Sequence, residues 1–84
     1  MKIVILEPES QNFEEVERET IKALMEEGTF GEVQWINDME KIQKYGVDQP
    51  PGMVINEKIK GYGKVPNKDE IKKWIQEEKY PAAE

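Results

Sequence analysis

The 84 residues form one domain, 1–84, because a chain of this length is too short for a second hydrophobic core. The net charge of −6 argues against nucleic-acid binding, which depends on clustered lysine and arginine facing phosphates. Zero cysteines and zero histidines exclude disulfides, thiolate chemistry and imidazole bases or ligands. The chain has no long apolar run and no signal-peptide pattern, so we expect a cytoplasmic protein without membrane contact.

The first part of the chain predicts a strand, a helix and a second strand. Residues 2–6 are a short apolar run rich in β-branched residues, typical of a strand buried on both faces. Pro8 stops this strand, and Ser10 is the expected N-cap of an amphipathic helix that ends at Gly28. The apolar stripe of that helix comprises Phe13, Val16, Thr20, Ala23 and Leu24, with Ile21 and Met25 at its edge. Residues 32–36 predict a shorter strand, placed at an edge of the sheet.

The middle of the chain predicts a short helix, a loop and a hairpin. Asp38 offers a cap for the helix, and Gly46 closes it. Two consecutive prolines within residues 48–52 require a loop. Residues 52–55 and 58–65 then indicate a β-hairpin. Strict alternation places Ile59, Gly61, Gly63 and Val65 on one face of its second arm and Lys60, Tyr62 and Lys64 on the other. The two glycines indicate that a helix packs closely against their face.

The C-terminal part predicts a third helix. Asn67 and Glu70 have the spacing of a capping box, with asparagine as the cap. Ile71, Trp74 and Ile75 form the buried stripe of the helix, which must end before Pro81. We expect residues 79–84 to be frayed. The element order is β-α-β-α-β-β-α, an α/β fold with a mixed sheet and helices on its faces.

Charge is spread unevenly along the chain. Residues 1–27 contain eight glutamates against three basic residues, whereas residues 57–73 contain six lysines against three acidic residues. These charges either form the solvated faces of amphipathic helices or create a dipolar surface that orients a partner.

The order of elements and several landmark residues resemble one family. Over Met1 to about Ile75, the chain resembles the small archaeal and bacterial thioredoxin-like proteins often called redox-active disulfide protein 2. The matching landmarks are the Met1–Ile5 start, Gly46, Pro51-Gly52, Gly63 and the stretch from Lys68 to Lys73. The resemblance implies a thioredoxin-like fold with three helices and a four-stranded mixed sheet in the order 2-1-3-4.

The resemblance also places the family's C-x-x-C redox motif on Ser10-Gln11-Asn12-Phe13. Ser10 and Phe13 stand where family members carry cysteine. A serine hydroxyl has no accessible anion for disulfide exchange, and a phenylalanine cannot resolve a mixed disulfide. Pro51 matches the family's cis-proline, and Pro50 before it has no N–H to offer an extended substrate.

Individual side chains leave some alternatives open. Ser10 as a nucleophile would need a base, and the chain has no histidine to serve as one. Phe13 is either a core residue of the first helix or an exposed apolar contact beside the proline loop. Trp35 and Trp74 are predicted core aromatics, and Tyr62 a surface aromatic. The carboxylates Glu7, Glu9, Glu14, Glu15 and Glu17 lack a calcium-loop pattern and are expected to be solvated, so no metal site and no cofactor is predicted.

The sequence therefore favours a redox-inactive thioredoxin-fold protein that acts as a binding or scaffold module. Its expected contact surface comprises Ser10, Gln11, Asn12, Phe13, Pro50 and Pro51. Two alternatives remain: an enzyme that keeps the family's thiol–disulfide oxidoreductase role, and a binder of glutathione-like thiols. The expected partner is another protein or a small thiol, and the protein itself is expected to be monomeric.

Overall fold

The computed structural model describes residues 1–80 of the chain. Its elements follow the predicted order. They are β1 (Lys2–Leu6), α1 (Ser10–Glu27), β2 (Glu32–Ile36), α2 (Met39–Lys44), β3 (Gly52–Ile55), β4 (Lys58–Tyr62) and α3 (Lys68–Lys79). Among the described residues, no helix is long and apolar enough to cross a membrane.

The strands form one four-stranded sheet in the order β2-β1-β3-β4. β1 pairs in parallel with β2 and antiparallel with β3, and β3 pairs antiparallel with β4. The prediction of a mixed sheet in the order 2-1-3-4 with three helices is confirmed. β2 and β4 are the two edge strands.

Apolar side chains pack on both faces of this sheet. One cluster joins the sheet to α1 and α3 and comprises Ile3, Ile5, Val16, Ala23, Leu24, Met53, Ile55, Ile71 and Ile75. A smaller cluster packs around α2 and comprises Val4, Leu6, Ile42, Val47 and Val54. Because successive strand residues point to opposite faces, β1 contributes to both clusters. Its four residues from Ile3 to Leu6 are all buried, as the continuous apolar run predicts.

α1 confirms the predicted stripe but not the predicted cap. Its buried residues are Val16, Thr20, Ala23 and Leu24, and Gly28 ends it in the left-handed conformation with φ 62°. Ser10 as N-cap is wrong, since the cap position is Glu9, which makes no side-chain cap bond. The Glu7 side chain accepts a hydrogen bond from the Glu9 N–H at 3.0 Å. The chain is thus held in place one residue before the serine, and Ser10 is already helical.

A β-bulge in β4 overturns the strict alternation predicted for the hairpin. Met53 pairs with Gly61, but the next residue, Val54, pairs with Ile59, which leaves Lys60 as an extra residue. Lys60 and Gly61 consequently both face α3. The Lys60 ammonium bonds to two carboxylates of that helix, and Gly61 lies under the ring of Trp74.

The hairpin also differs from the prediction at its ends. Asn56 and Glu57 form the connecting turn with φ of 51° and 70°, the left-handed pair of a type I′ turn. β4 ends at Tyr62 rather than at Val65. Gly63 has φ 92° and turns the chain out of the strand. A glycine is therefore needed here for its positive φ rather than for close packing of a helix.

α3 begins as the sequence predicts. The Asn67 side chain accepts a hydrogen bond from the Glu70 N–H at 2.9 Å, which confirms the cap. The helix includes Lys79, whose ammonium donates to the Glu27 carbonyl on α1 at 2.9 Å. The expectation of fraying over 79–84 stays a prediction. Residues 81–84 lie outside the described residues.

Ion pairs join the acidic first half of the chain to the basic segment near its end. The Glu26 carboxylate on α1 meets Lys68 at 2.7 Å and Lys72 at 3.0 Å on α3. The hydrogen bond from Lys68, followed in size by that from Lys72, lowers the pKa of Glu26. Part of the uneven charge therefore acts within the molecule, between two helices packed side by side.

Candidate functional site

The strand register brings the two predicted site segments to the same end of the sheet. In the antiparallel pairing of β1 with β3, Leu6 lies opposite Gly52. One step further, Glu7 leaves β1 where Pro51 enters β3. α1 starts three residues after Glu7. Its first turn and the proline loop before β3 therefore both lie at this end of the sheet.

The first turn of α1 carries Ser10, Gln11 and Asn12. The first helical hydrogen bond runs from the Phe13 N–H to the Glu9 carbonyl at 3.0 Å. The three preceding N–H groups, those of residues 10–12, therefore have no acceptor within the helix. No side chain caps them. Together with the helix dipole, they make this end a donor-rich surface.

Phe13 lies one turn further along and stacks on Trp35 of β2. The ring centroids are 4.3 Å apart and the planes differ by 11°. Phe13 is half-buried and also packs against the α1–α3 cluster. Phe13 is therefore neither fully buried nor fully exposed, and a contact beside the proline loop stays a prediction.

Trp35 is not the core residue that the sequence predicts. It is 37% exposed, because β2 is an edge strand that no helix covers completely. Its indole N–H donates to the Glu7 carbonyl at 2.7 Å. That bond and the stack on Phe13 hold the indole at the end of the sheet where β1 leads into α1 and the proline loop enters β3. We call this the site end of the sheet. Trp74, the other predicted core aromatic, is half-buried and packs against the α1–α3 cluster.

Glu7 is the most unexpected side chain here. The sequence predicts a solvated carboxylate, but Glu7 is only 2% exposed. Its Oε1 accepts the Glu9 N–H bond, while its Oε2 has no hydrogen-bond partner within residues 1–80. The sequence did contain a signal of this burial. Glu7 directly follows the buried run of β1 and is in phase with Ile3 and Ile5, which point to the same face of the sheet.

The proline loop precedes β3. The Pro50–Pro51 peptide bond is cis, and Pro51 is buried while Pro50 is half-buried. The Pro51 carbonyl is not free, since it accepts a hydrogen bond from the Gly63 N–H at 3.1 Å. The exposed character of this loop therefore comes from Pro50 and its neighbours rather than from Pro51.

Comparison with known proteins decides the family. The model of the thioredoxin domain matches residues 1–76. The chain belongs to the thioredoxin domain family. It is also 33% identical over 73 residues to a protein named thioredoxin from Methanothermobacter thermautotrophicus, an alignment that covers 87% of this chain and 95% of that relative. The small thioredoxin-like family suggested by the sequence is thus confirmed.

This thioredoxin-family chain has no cysteine at any position. Ser10 and Phe13, which stand at the predicted motif positions, occupy the first and fourth residues of α1. The described residues contain no group of three carboxylates that could hold a metal ion. What the site end of the sheet presents is a set of backbone donors, a stacked aromatic pair and a proline loop.

Proposed function

We propose that this protein is a thioredoxin-fold binding module that carries out no disulfide exchange. Its contact surface comprises residues 10–13 of α1 and Pro50, since Pro51 is buried, and its partner is an extended segment of another protein. The observation that carries the proposal is the stack of Phe13 on Trp35. At the position of the family's second cysteine, this chain presents an aromatic surface that supplies contact area and no reactive sulfur.

The chemistry of the surrounding groups supports a protein segment as the ligand. The N–H groups of residues 10–12 can donate to backbone carbonyls or to a carboxylate of a partner. The half-buried Phe13 and the partly exposed Trp35 offer apolar contact beside these donors. Pro50 has no N–H, so it contributes surface rather than strand-like pairing. Binding then rests on aromatic and proline contacts with a few directed hydrogen bonds.

An NMR titration tests this proposal with two probes. The first probe is carboxymethylated insulin B chain, an extended peptide without free thiols, and the second is reduced glutathione. We expect the peptide to shift the amide signals of Gln11, Asn12 and Gly52 in a saturable manner, and glutathione to leave them unchanged. Phe13→Ser should weaken peptide binding at least about tenfold, which corresponds to the loss of one good aromatic contact.

The matched control is Tyr80→Ser, which removes an exposed aromatic at the end of α3, away from the proline loop, and should leave the titration unchanged. Absence of peptide shifts, or equal shifts in Phe13→Ser, contradicts the proposal. Saturable shifts by glutathione that block the peptide favour the thiol-ligand alternative instead.

A disulfide-reduction assay tests the absence of exchange chemistry. With a dithiol reductant and insulin, the protein should give no rate above background, and a catalysed rate would restore the enzyme alternative. Ser10→Cys with Phe13→Cys provides the comparison. The two positions lie three residues apart on a helix, a spacing that suits a disulfide, so this variant should form an intramolecular bridge under mild oxidation.

A further inference from the structure

An apolar groove lies at the end of α1 remote from the candidate site. It has a volume of about 560 Å³ and is lined by Ile21, Leu24, Met25, Gly28, Thr29, Phe30, Gly31 and Val33. Ser10 and Ile21 are eleven residues apart on the helix, or roughly 16 Å along its axis. The groove is thus separate from the surface proposed above for a protein segment.

Large apolar side chains on the rim of this groove face solvent. Phe30 is 97% exposed, Met25 is 76% exposed and Ile21 is 46% exposed. Phe30 lies in the short connection between α1 and β2, and no element within residues 1–80 covers its side chain. A fully exposed phenylalanine beside an open apolar groove is costly in water, and such patches mark interaction sites.

An open sheet edge continues from the groove. β2 begins at Glu32, two residues after Phe30, and among the described residues it pairs only with β1. The backbone N–H and C=O groups on its outer side are therefore available to another chain. No proline and no bulge interrupts the strand, and its burial pattern leaves Glu32, Gln34 and Trp35 exposed.

We propose that the groove and the first residues of the β2 edge, 32–34, form the contact between two copies of this chain, which leaves Trp35 to the surface proposed above for a protein segment. In a two-fold contact, one residue of each copy meets the complementary surface of the other. Phe30 on the rim supplies the apolar side chain, and the groove beside it supplies the receptor. Each Phe30 enters the partner's groove, and the two β2 strands approach along the open edges of their first residues.

The area available matches a weak dimer rather than an obligate one. From their exposed fractions, Phe30, Met25 and Ile21 together present on the order of 400 Å² per copy. Both copies with the β2 edges then bury about 1,000 Å², the lower limit for a specific interface. The sequence alone favours a monomer, because it cannot show that Phe30 lies outside the core.

Charge adds a second signature of this interface. Each copy carries a net charge of −6, so two copies repel each other at low ionic strength. The contact itself is apolar and does not depend on charge pairs. Added salt screens the repulsion and should strengthen the association, the opposite of its effect on a contact held by ion pairs.

Sedimentation velocity tests the proposal on the intact chain. The apparent mass should rise from one copy toward two between about 10 µM and about 1 mM, and the transition should move to lower concentration when NaCl is raised from about 50 to about 500 mM. Phe30→Asp should abolish the transition at every concentration. Because Phe30 is exposed, this variant should keep the circular dichroism spectrum and the melting temperature of the wild-type protein.

Tyr62→Asp is the matched control, since it adds the same charge in place of an exposed aromatic on β4, the opposite edge. It should dimerise as the wild type does. A wild-type chain that stays monomeric at about 1 mM overturns the proposal and leaves the groove to a different partner. A dimer that survives Phe30→Asp, or that Tyr62→Asp disrupts equally, also overturns it.

Discussion

At the scale of single residues, Gly61 shows how a backbone position can be dictated by a distant side chain. A Cβ atom built on Gly61 would lie 2.9 Å from two atoms of the six-membered ring of Trp74. The bulge at Lys60 turns this part of β4 toward α3, so the indole lies directly on the strand backbone. Only glycine leaves room for that contact.

We therefore expect Gly61→Ala to destabilise the fold by about 1–3 kcal/mol, because the indole must shift within a packed layer. Urea unfolding measures the cost. In a Trp74→Phe background, where the two clashing ring atoms are absent, the same substitution should cost less than about 0.5 kcal/mol. Equal costs in the two backgrounds would show that the clash with Trp74 is not the reason for the glycine.

Phe13 and Glu7 also acquire their surroundings from residues far along the chain. Phe13 stacks on Trp35, 22 positions away, and Glu7 receives the indole hydrogen bond on its carbonyl. The buried Glu7 side chain in turn holds the residue before α1. These three residues make the site end of the sheet one connected unit, in which the start of α1 and the end of β2 are positioned together.

At the scale of elements, the two longer helices begin in different ways. α3 starts with a side-chain cap, since the Asn67 oxygen accepts the Glu70 N–H bond. α1 starts at Ser10 after the cap residue Glu9, whose side chain makes no cap bond, and the Ser10 hydroxyl makes none either. The donors of α1 are consequently left for solvent or for a ligand.

This difference predicts unequal effects of alanine at the two positions. Asn67→Ala should lower the free energy of unfolding by ~0.5–2 kcal/mol through loss of the cap. Ser10→Ala should change it by less than about 0.5 kcal/mol, because no cap bond is lost. Chemical denaturation of both variants provides the comparison. A cost for Ser10→Ala as large as that for Asn67→Ala would mean that serine caps α1 in solution.

At the scale of the whole molecule, charge pairs join the sheet edge to α3. The Lys60 ammonium on the bulge lies 2.8 Å from the Glu78 carboxylate and 3.1 Å from that of Glu77. Hydrogen bonding to Lys60 lowers the pKa of Glu78. Desolvation opposes the charged form of Lys60, but the hydrogen bonds to Glu78 and Glu77 outweigh it and raise the pKa of Lys60.

The two directions set a window of stability against pH. With its folded pKa lowered, Glu78 contributes stability above its unfolded pKa of about 4.3, and this is lost as pH falls through the folded value. With its folded pKa raised, Lys60 contributes below its unfolded pKa of about 10.4, and this is lost as pH rises through the folded value.

Glu78→Gln should therefore destabilise the protein by about 1–2 kcal/mol near neutral pH. The difference from the wild type should shrink at strongly acid and strongly alkaline pH, as measured by urea unfolding across the pH range. Glu14→Gln, on the exposed face of α1, is the matched control and should leave the free energy of unfolding near neutral pH unchanged. A difference that does not vary with pH would indicate that Glu78 acts through packing alone.

Local signals in the sequence determined most of the architecture. The apolar run of β1, the stripe of α1 and the cap at Asn67 each depend on neighbouring residues, and each is present as predicted. The order of the strands followed from these elements and from the family resemblance. The position of residues 10–13 at the start of the first helix was predictable for the same reason, since it depends only on where one strand ends and one helix begins.

Tertiary structure alone decided the features that depend on partners distant in the chain. The bulge at Lys60 allows β4 to pair with β3 while the Lys60 ammonium bonds to two carboxylates of α3. The alternation of side chains along the strand does not predict this. Trp35 is exposed because β2 lies at the sheet edge, and Phe30 because the turn after α1 projects away from the core. Glu7 is buried where β1 leads into α1, with its Oε1 bonded to the Glu9 N–H. Burial is a property of packed elements, so a single sequence shows which side chains are apolar but not which of them remain facing water.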